Sequence, residues 1–257
     1  MAGHGAGARR VGSMLASGKV VVGTISPFAS PGLVKLAAAG GFDLFVVDGE
    51  HGNTEPGDIE ALVAVSELCG MDLVVRAPGL DRSYIGRCLD AGVDGIVIPH
   101  GSTEMARAAV AACRFVPEGE RGLGPAFCNN YAVGVDMDEF VRVVNERTLV
   151  IVQIEDAESL SALDAIATVP GVDGLLVGPR DLAASLKSSG GEGQQTVDEA
   201  IGASIAAARK AGKWAALPAE SPAAARAAAA RGAQVVLAYL PQLIVAASRD
   251  FAAGLAT

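Results

Sequence analysis

The chain alternates between short, almost wholly apolar runs and longer stretches in which apolar residues recur every three or four positions. Eight runs rich in β-branched residues stand out: KVVVGTIS (19–26), FDLFVVDGE (42–50), MDLVVRAP (71–78), GVDGIVIPH (92–100), TLVIVQIED (148–156), GVDGLLVGP (171–179), KWAALPAE (213–220) and GAQVVLAYL (232–240). Continuous apolar runs, rather than strict alternation, predict strands buried on both faces, as parallel strands are. The intervening segments, among them STEMARAAVAACRF and VDEAIGASIAAARKAG, carry helical spacing. GFDLFVVDG, GVDGIVIPH and GVDGLLVGP repeat one joint: a glycine to end a helix in a left-handed cap, then an aspartate to pin the turn into the strand. Eight such βα units predict a (β/α)8 barrel. An open doubly wound sheet is the alternative, but its first turn is usually glycine-rich, and here that turn reads TISPFASPG.

Between the fourth and fifth runs, one helix is followed by FVPEGERGLGPAFCNNYAVGVDMDEF, whose first half holds five glycines or prolines. A long irregular loop in a compact domain is functional or disordered. Nothing else resembles a linker, so residues 1–257 are expected to form one domain, with residues 1–12 a disordered tail. That tail lacks the apolar centre of a secretory signal.

Composition narrows the picture. The hydrophobic fraction of 51% is largely Ala, Val, Leu and Ile, and aromatics make up only 4%. A net charge of −9 argues against nucleic acid, whose binding rests on Lys and Arg neutralising phosphates. No apolar run reaches the ~18 residues that span a bilayer. The four cysteines occur singly, fit neither a zinc site nor a disulfide framework, and suit a reducing cytoplasm.

In a barrel the C-terminal ends of the strands share one mouth. The second run brings Asp48, Glu50 and His51 there, the third Arg76, the fourth His100, the fifth Gln153 and Glu155, and the sixth Arg180 and Asp181. The first, seventh and eighth add only Ser26, Glu220 and Tyr239. Glu155 and Asp181 form a hard oxygen pair suited to Mg2+ or Mn2+, or else cap helix starts. Arg76, following buried valines, needs an anion: a substrate carboxylate or enolate oxygen, or a structural pair with Asp48 or Glu50. His51 beside Asp48 suggests a general base with an orienting carboxylate, or a surface loop histidine. Strand alternation turns Glu50 elsewhere. None of the five lysines ends a strand, which weakens a Schiff-base reading. The loops after the seventh and eighth runs (PAESPAAA and YLPQLI) are not phosphate cradles.

FVVDGEH, VVRAP, RGLG, VQIE and GPRDL occur in the order seen in the HpcH/HpaI aldolases, which the chain resembles from about residue 23 to about residue 240. The resemblance implies a metal-dependent class II aldolase that splits a 4-hydroxy-2-oxo acid into pyruvate, or a close 2-oxo acid, and an aldehyde. It implies a divalent cation (Mg2+, Mn2+ or Co2+) on Glu155 and Asp181, Arg76 on the enolate oxygen, and His51 backed by Asp48 at the 4-hydroxyl. Gln153 then contacts the pyruvate side, the backbone of Gly178, Pro179 and Arg180 binds the carboxylate, and Asp90 reaches a neighbouring subunit's site. The same likeness implies a homohexamer, a trimer of dimers, with the C-terminal helix exchanged between barrels. The loop from Arg121 is expected to close over the aldehyde side, with Arg121 a contact. Arg180, Ala183 and His100 depart from the family pattern, and Arg180 and His100 bear on the acceptor pocket. The alternatives are oxaloacetate decarboxylation, another carbon–carbon bond reaction of a pyruvate enolate, or a barrel that only binds an anionic metabolite.

Overall fold

A computed structural model of the chain describes residues 10–188 and 196–254. Eight parallel strands close into a barrel in sequence order: β1 (Val21–Ser26), β2 (Leu44–Asp48), β3 (Asp72–Arg76), β4 (Gly95–Ile98), β5 (Leu149–Ile154), β6 (Gly174–Val177), β7 (Trp214–Pro218) and β8 (Val235–Tyr239). β8 pairs with β1, so the sheet has no free edge. All eight predicted strands are present, and the doubly wound alternative is excluded.

Alternate residues on each strand separate into two apolar layers. Leu44, Val46, Val74, Val97, Leu149, Ile151, Leu176, Trp214, Ala216, Val235 and Leu237 form one buried cluster, which is the barrel's interior. Phe45, Val47, Leu73, Val75, Ile96, Val150 and Val152, on the intervening positions, pack against the surrounding helices. The period of two then fixes what lies above the interior at the strands' C-terminal ends. Continuing 44–46 on β2 gives Asp48, continuing 74 on β3 gives Arg76, and continuing 149–151 on β5 gives Gln153 and then Glu155. The polar mouth is therefore the topmost inward layer of the barrel.

The repeated glycine–aspartate joint has a sharper role than a turn. Gly41, Gly92 and Gly171 take positive φ of 90°, 102° and 89°, ending the preceding helix segments as expected. The aspartates that follow reach sideways to the strand before. Asp43 accepts from the N–H of Val22 on β1 (3.1 Å), Asp94 from Leu73 on β3 (2.9 Å), and Asp173 from Val150 on β5 (2.8 Å). Each carboxylate thus ties the start of one strand to its neighbour and helps set the register.

At this same N-terminal end the expected tail is shorter than predicted. Arg10, Val11 and Gly12 open the helix Arg10–Ala16; residues 1–9 lie outside the described residues. The Asp72 carboxylate accepts from the N–H groups of Arg10 (3.2 Å) and Val11 (3.0 Å), a stabilising match of anion to helix N-terminus. Val11 is fully buried and joins the interior cluster as its floor.

The loop after the fourth-run helix lies away from the mouth of its own barrel. Because it follows a helix (Thr103–Cys113) and leads through Met137–Arg147 to β5, it lies at the strands' N-terminal end, opposite the mouth. Arg121 there is buried, donates to Asp90 (2.8 Å) and lies 4.4 Å above the Phe115 ring. The segment 121–134 does not close over the mouth of its own barrel.

Replacing Asp94 with alanine leaves the Leu73 N–H without its acceptor and should lower stability by about 1–3 kcal/mol. Urea denaturation checks this, and an unchanged midpoint would show that the joint contributes nothing to strand pairing.

Candidate active site

The site is built around Asp48 and Arg76, which face each other in register across β2 and β3. Asp48 is 1% exposed. Its Oδ1 accepts from Arg76 Nε (2.9 Å) and its Oδ2 from Arg76 Nη2 (2.5 Å), a bidentate charge-assisted fork. Oδ1 also accepts from the backbone N–H groups of Glu50 (3.0 Å) and His51 (3.2 Å), which bends the chain sharply where the strand ends. Burial alone would raise the Asp48 carboxyl, but the Arg76 fork and the two N–H groups hold it below the ordinary value. Burial correspondingly opposes the Arg76 charge, and the neighbouring carboxylates restore it and raise it further.

The Nε–Nη2 edge of the guanidinium is committed to Asp48, and Nη1 turns to Gln153 and Glu50. Arg76 Nη1 lies 3.5 Å from Gln153 Oε1 and 3.3 Å from Glu50 Oε2. Gln153 in turn donates from Nε2 to Glu155 Oε2 in a short hydrogen bond. Glu155 Oε1 accepts from the backbone N–H of His100 (2.7 Å). A continuous polar chain therefore runs from Asp48 through Arg76, Gln153 and Glu155 to His100, drawn from the ends of β2 to β5.

The structure revises the expected dyad. The ring of His51 is exposed, and what Asp48 holds is the His51 backbone N–H; the carboxylate itself is taken up by Arg76. Of the two fates considered for Arg76, the ion pair with Asp48 is the one the resting structure shows. Glu50, expected to point away, belongs to the site instead. The strand stops at Asp48 and the bend returns Glu50 inward, so alternation no longer governs it. Its side chain is only 13% exposed, and its Oε2 is buried without a hydrogen bond. Burial and the Glu155 charge hold the Glu50 carboxyl above its ordinary value, against the pull of Arg76 and of both nearby histidines.

The remaining predicted residues fall around this centre or away from it. His100 sits beside Glu155, Asp156 and Glu50 with its side chain 64% exposed. Gly178 follows β6, and a side chain there would start 2.9 Å from Glu155 Cβ and 3.1 Å from its Oε2, so only glycine leaves that carboxylate's flank open. Pro179 begins the helix Pro179–Ser188, whose first turn contains Arg180 and Asp181, both exposed. Arg180 is paired with Glu220 across the rim (2.8 Å). Asp90 and Arg121 are paired with each other at the opposite end, so within one chain neither reaches the mouth.

Three observations bear on a cation. Among the described residues, Glu50, His100 and Glu155 place one ligand atom each within 4.8 Å of the others. Glu50 Oε2 lacks a hydrogen-bond partner, and the space beside Glu155 is kept free by Gly178. Such a donor set fits a divalent ion. Asp181 stands outside this group.

A closed parallel barrel with a buried arginine and carboxylates at its C-terminal mouth defines a barrel enzyme poised for an anionic substrate. Residues 22–238 match the family model described as HpcH/HpaI aldolase/citrate lyase. A hydroxypyruvate/pyruvate aldolase of Roseovarius nubinhibens is 37% identical over 78% of this chain and 78% of its own length. A 4-hydroxy-2-oxovalerate aldolase of Rhodococcus jostii is 34% identical, covering 77% of each. The crystal structure of an HpcH/HpaI aldolase from Desulfitobacterium hafniense superposes with a TM-score of 0.87 at 31% identity, covering 96% of both chains. The chain belongs to the HpcH/HpaI aldolase/citrate lyase family and is a carbon–carbon lyase.

Asp48→Asn removes one partner of a buried pair and should cost about 3–5 kcal/mol at pH 7. Because the Asp48 carboxyl is held below its ordinary 3.8, its contribution is present above that pH and is lost as pH falls through the lowered value. Urea unfolding across this range should show the wild-type advantage shrinking in acid; equal stability at pH 7 would contradict the pairing argument.

Proposed function

We propose that this protein is a divalent-metal-dependent aldolase that cleaves, or forms, a 4-hydroxy-2-oxo acid, giving pyruvate or a close 2-oxo acid and an aldehyde. The observation that carries this reading is the polar chain Asp48–Arg76–Gln153–Glu155 at the mouth, together with the absence of lysine there. All five lysines lie elsewhere: Lys19 and Lys213 precede strands, and Lys35, Lys187 and Lys210 are on helices. An imine-forming aldolase therefore has no amine in place.

The 2-oxo acid's carboxylate is assigned to the N-terminus of the helix Pro179–Ser188, where the first N–H groups have no intrahelical acceptor. Arg76 Nη1, the edge not engaged by Asp48, faces the developing enolate oxygen at C2. A cation held by Glu155 and Asp181, the family-based assignment, would act as a Lewis acid on that keto oxygen. Asp48 keeps the guanidinium fixed, so its charge need not reorient as the enolate forms. Gln153, braced between Arg76 and Glu155, orients both. His51 accepts the 4-hydroxyl proton as the C3–C4 bond breaks; the bond's electrons move to the C2–C3 enolate and the aldehyde departs. Protonation at C3 then gives the methyl group of pyruvate. Relatives named as 4-hydroxy-2-oxovalerate and hydroxypyruvate/pyruvate aldolases support a pyruvate-side pocket of this kind.

The reading includes assembly and location. We place the enzyme in the cytoplasm, in keeping with four free cysteines. Among the described residues no helix is long and apolar enough to cross a membrane. The exposed Leu243, Ile244, Val245 and Phe251 of the helix Leu240–Ala253 support its exchange between barrels in a hexamer. In such an assembly Asp90, and Arg121 with it, would approach a neighbouring mouth.

Pyruvate release from a panel of 4-hydroxy-2-oxo acids, with Mg2+, Mn2+ or Co2+, tests the assignment. Glu155→Gln and Asp181→Asn should each lower kcat by about 10²-fold or more. Full activity in either variant would remove that residue from the metal centre.

A further inference from the structure

The metal centre proposed above is an all-oxygen pair, yet the structure brings an imidazole to it. His100 Nδ1 lies 3.3 Å from Glu155 Oε1 and 3.7 Å from Asp156 Oδ2, while Nε2 lies 3.8 Å from Glu50 Oε1. Two donors sharing one cation at about 2.1 Å each are roughly 3–4 Å apart, which the separation of His100 Nδ1 from Glu155 Oε1 fits, and one ligand atom each of Glu50, His100 and Glu155 lies within 4.8 Å of the others. Glu50 Oε2 is buried without a hydrogen bond and meets only the ion pair with Arg76 Nη1 (3.3 Å).

The backbone holds the ring in place. His100 has φ of +50°, a conformation unusual for a residue with a side chain. It is kept there by its own N–H donating to Glu155 Oε1 (2.7 Å) and by the Gly101 N–H donating to the Gln153 carbonyl (3.0 Å). The histidine backbone is thus bound to the carboxylate that its ring faces. Glu50 and Asp156 offer an acceptor to whichever ring nitrogen is not coordinating, and such a hydrogen bond fixes the ring of a metal-bound histidine.

We infer that His100 is a side-chain ligand of the divalent cation, converting the centre from an all-oxygen site to a mixed nitrogen–oxygen site. The inference rests on the metal-dependent reading above and extends it to the choice of ion. Imidazole favours the later transition ions, whereas Mg2+ prefers oxygen and keeps its waters. The centre is accordingly selective for Co2+ or Zn2+ over Mg2+.

The test is metal binding by the full-length protein stripped with a chelator, with affinities for Co2+ and Mg2+ measured by calorimetry. His100→Asn is the informative variant, because asparagine tolerates the left-handed backbone and keeps the N–H to Glu155. His100→Gly, which also accepts that backbone, is the second. Both should weaken Co2+ by about 10- to 100-fold and Mg2+ by no more than about threefold. X-ray absorption of the Co2+-loaded wild type should show imidazole scattering that both variants lose. If Co2+ affinity and the scattering are unchanged in both variants while Glu155→Gln abolishes binding, His100 is not a ligand and the carboxylate centre stands. If Glu155→Gln binds Co2+ as tightly as the wild type, the metal centre is misplaced and the inference falls with it.

Discussion

The bidentate pair between Asp48 and Arg76 is the constraint on which the mouth of this barrel depends. A guanidinium above an apolar barrel interior is costly unless an anion meets it. Asp48 meets it from the adjacent strand, in register, with both oxygens. The same carboxylate collects the N–H groups of Glu50 and His51, so one buried charge fixes the arginine and shapes the β2 loop. Everything on the catalytic side follows from that anchoring. Gln153 and Glu50 are arranged against the remaining guanidinium edge, and Glu155 is reached through Gln153.

The scaffold supplies this geometry through layering. Interior positions are filled from the floor upward by Val11, Trp214 and the aliphatic strand residues, and the last inward layer is polar. The aspartates at the opposite end of the barrel bind neighbouring strand N–H groups and tie β2 to β1, β4 to β3 and β6 to β5, while β2 and β3 pair in the register that puts Asp48 beside Arg76. Stability and chemistry are thus divided between the two ends of the strands, as barrels of this type allow. At the mouth the electrostatics are deliberately unbalanced. Asp48 is satisfied, whereas burial, and then the Glu155 charge, hold the Glu50 carboxyl above its ordinary value against the pull of Arg76.

Much of this was legible in the residues. Strands buried on both faces announce themselves as continuous apolar runs, and the polar residue ending each run is a mouth residue by topology; Asp48, Arg76, Gln153 and Glu155 were found that way. Glu50 is not legible from alternation, which ends with the strand at Asp48, where the bend returns Glu50 inward. Sequence adjacency places Asp48 beside His51 but does not show that an arginine 28 positions later takes up the carboxylate. The glycine-rich loop at Arg121 stands out by its length, and its position after a helix assigns it to the end of its own barrel opposite the mouth. Val11 lay in a segment too polar to suggest a buried residue, and its partner Asp72 is 61 positions away.

The central claim is that the Arg76 edge left free by Asp48 stabilises an enolate. Pyruvate incubated in D2O with the protein and a divalent cation, followed by mass spectrometry, reads enolate formation without any aldehyde. The wild type should exchange the methyl protons, and Arg76→Lys, which keeps the charge but loses the fork, should exchange about 10²- to 10³-fold more slowly. Equal exchange rates in the two proteins would contradict the account.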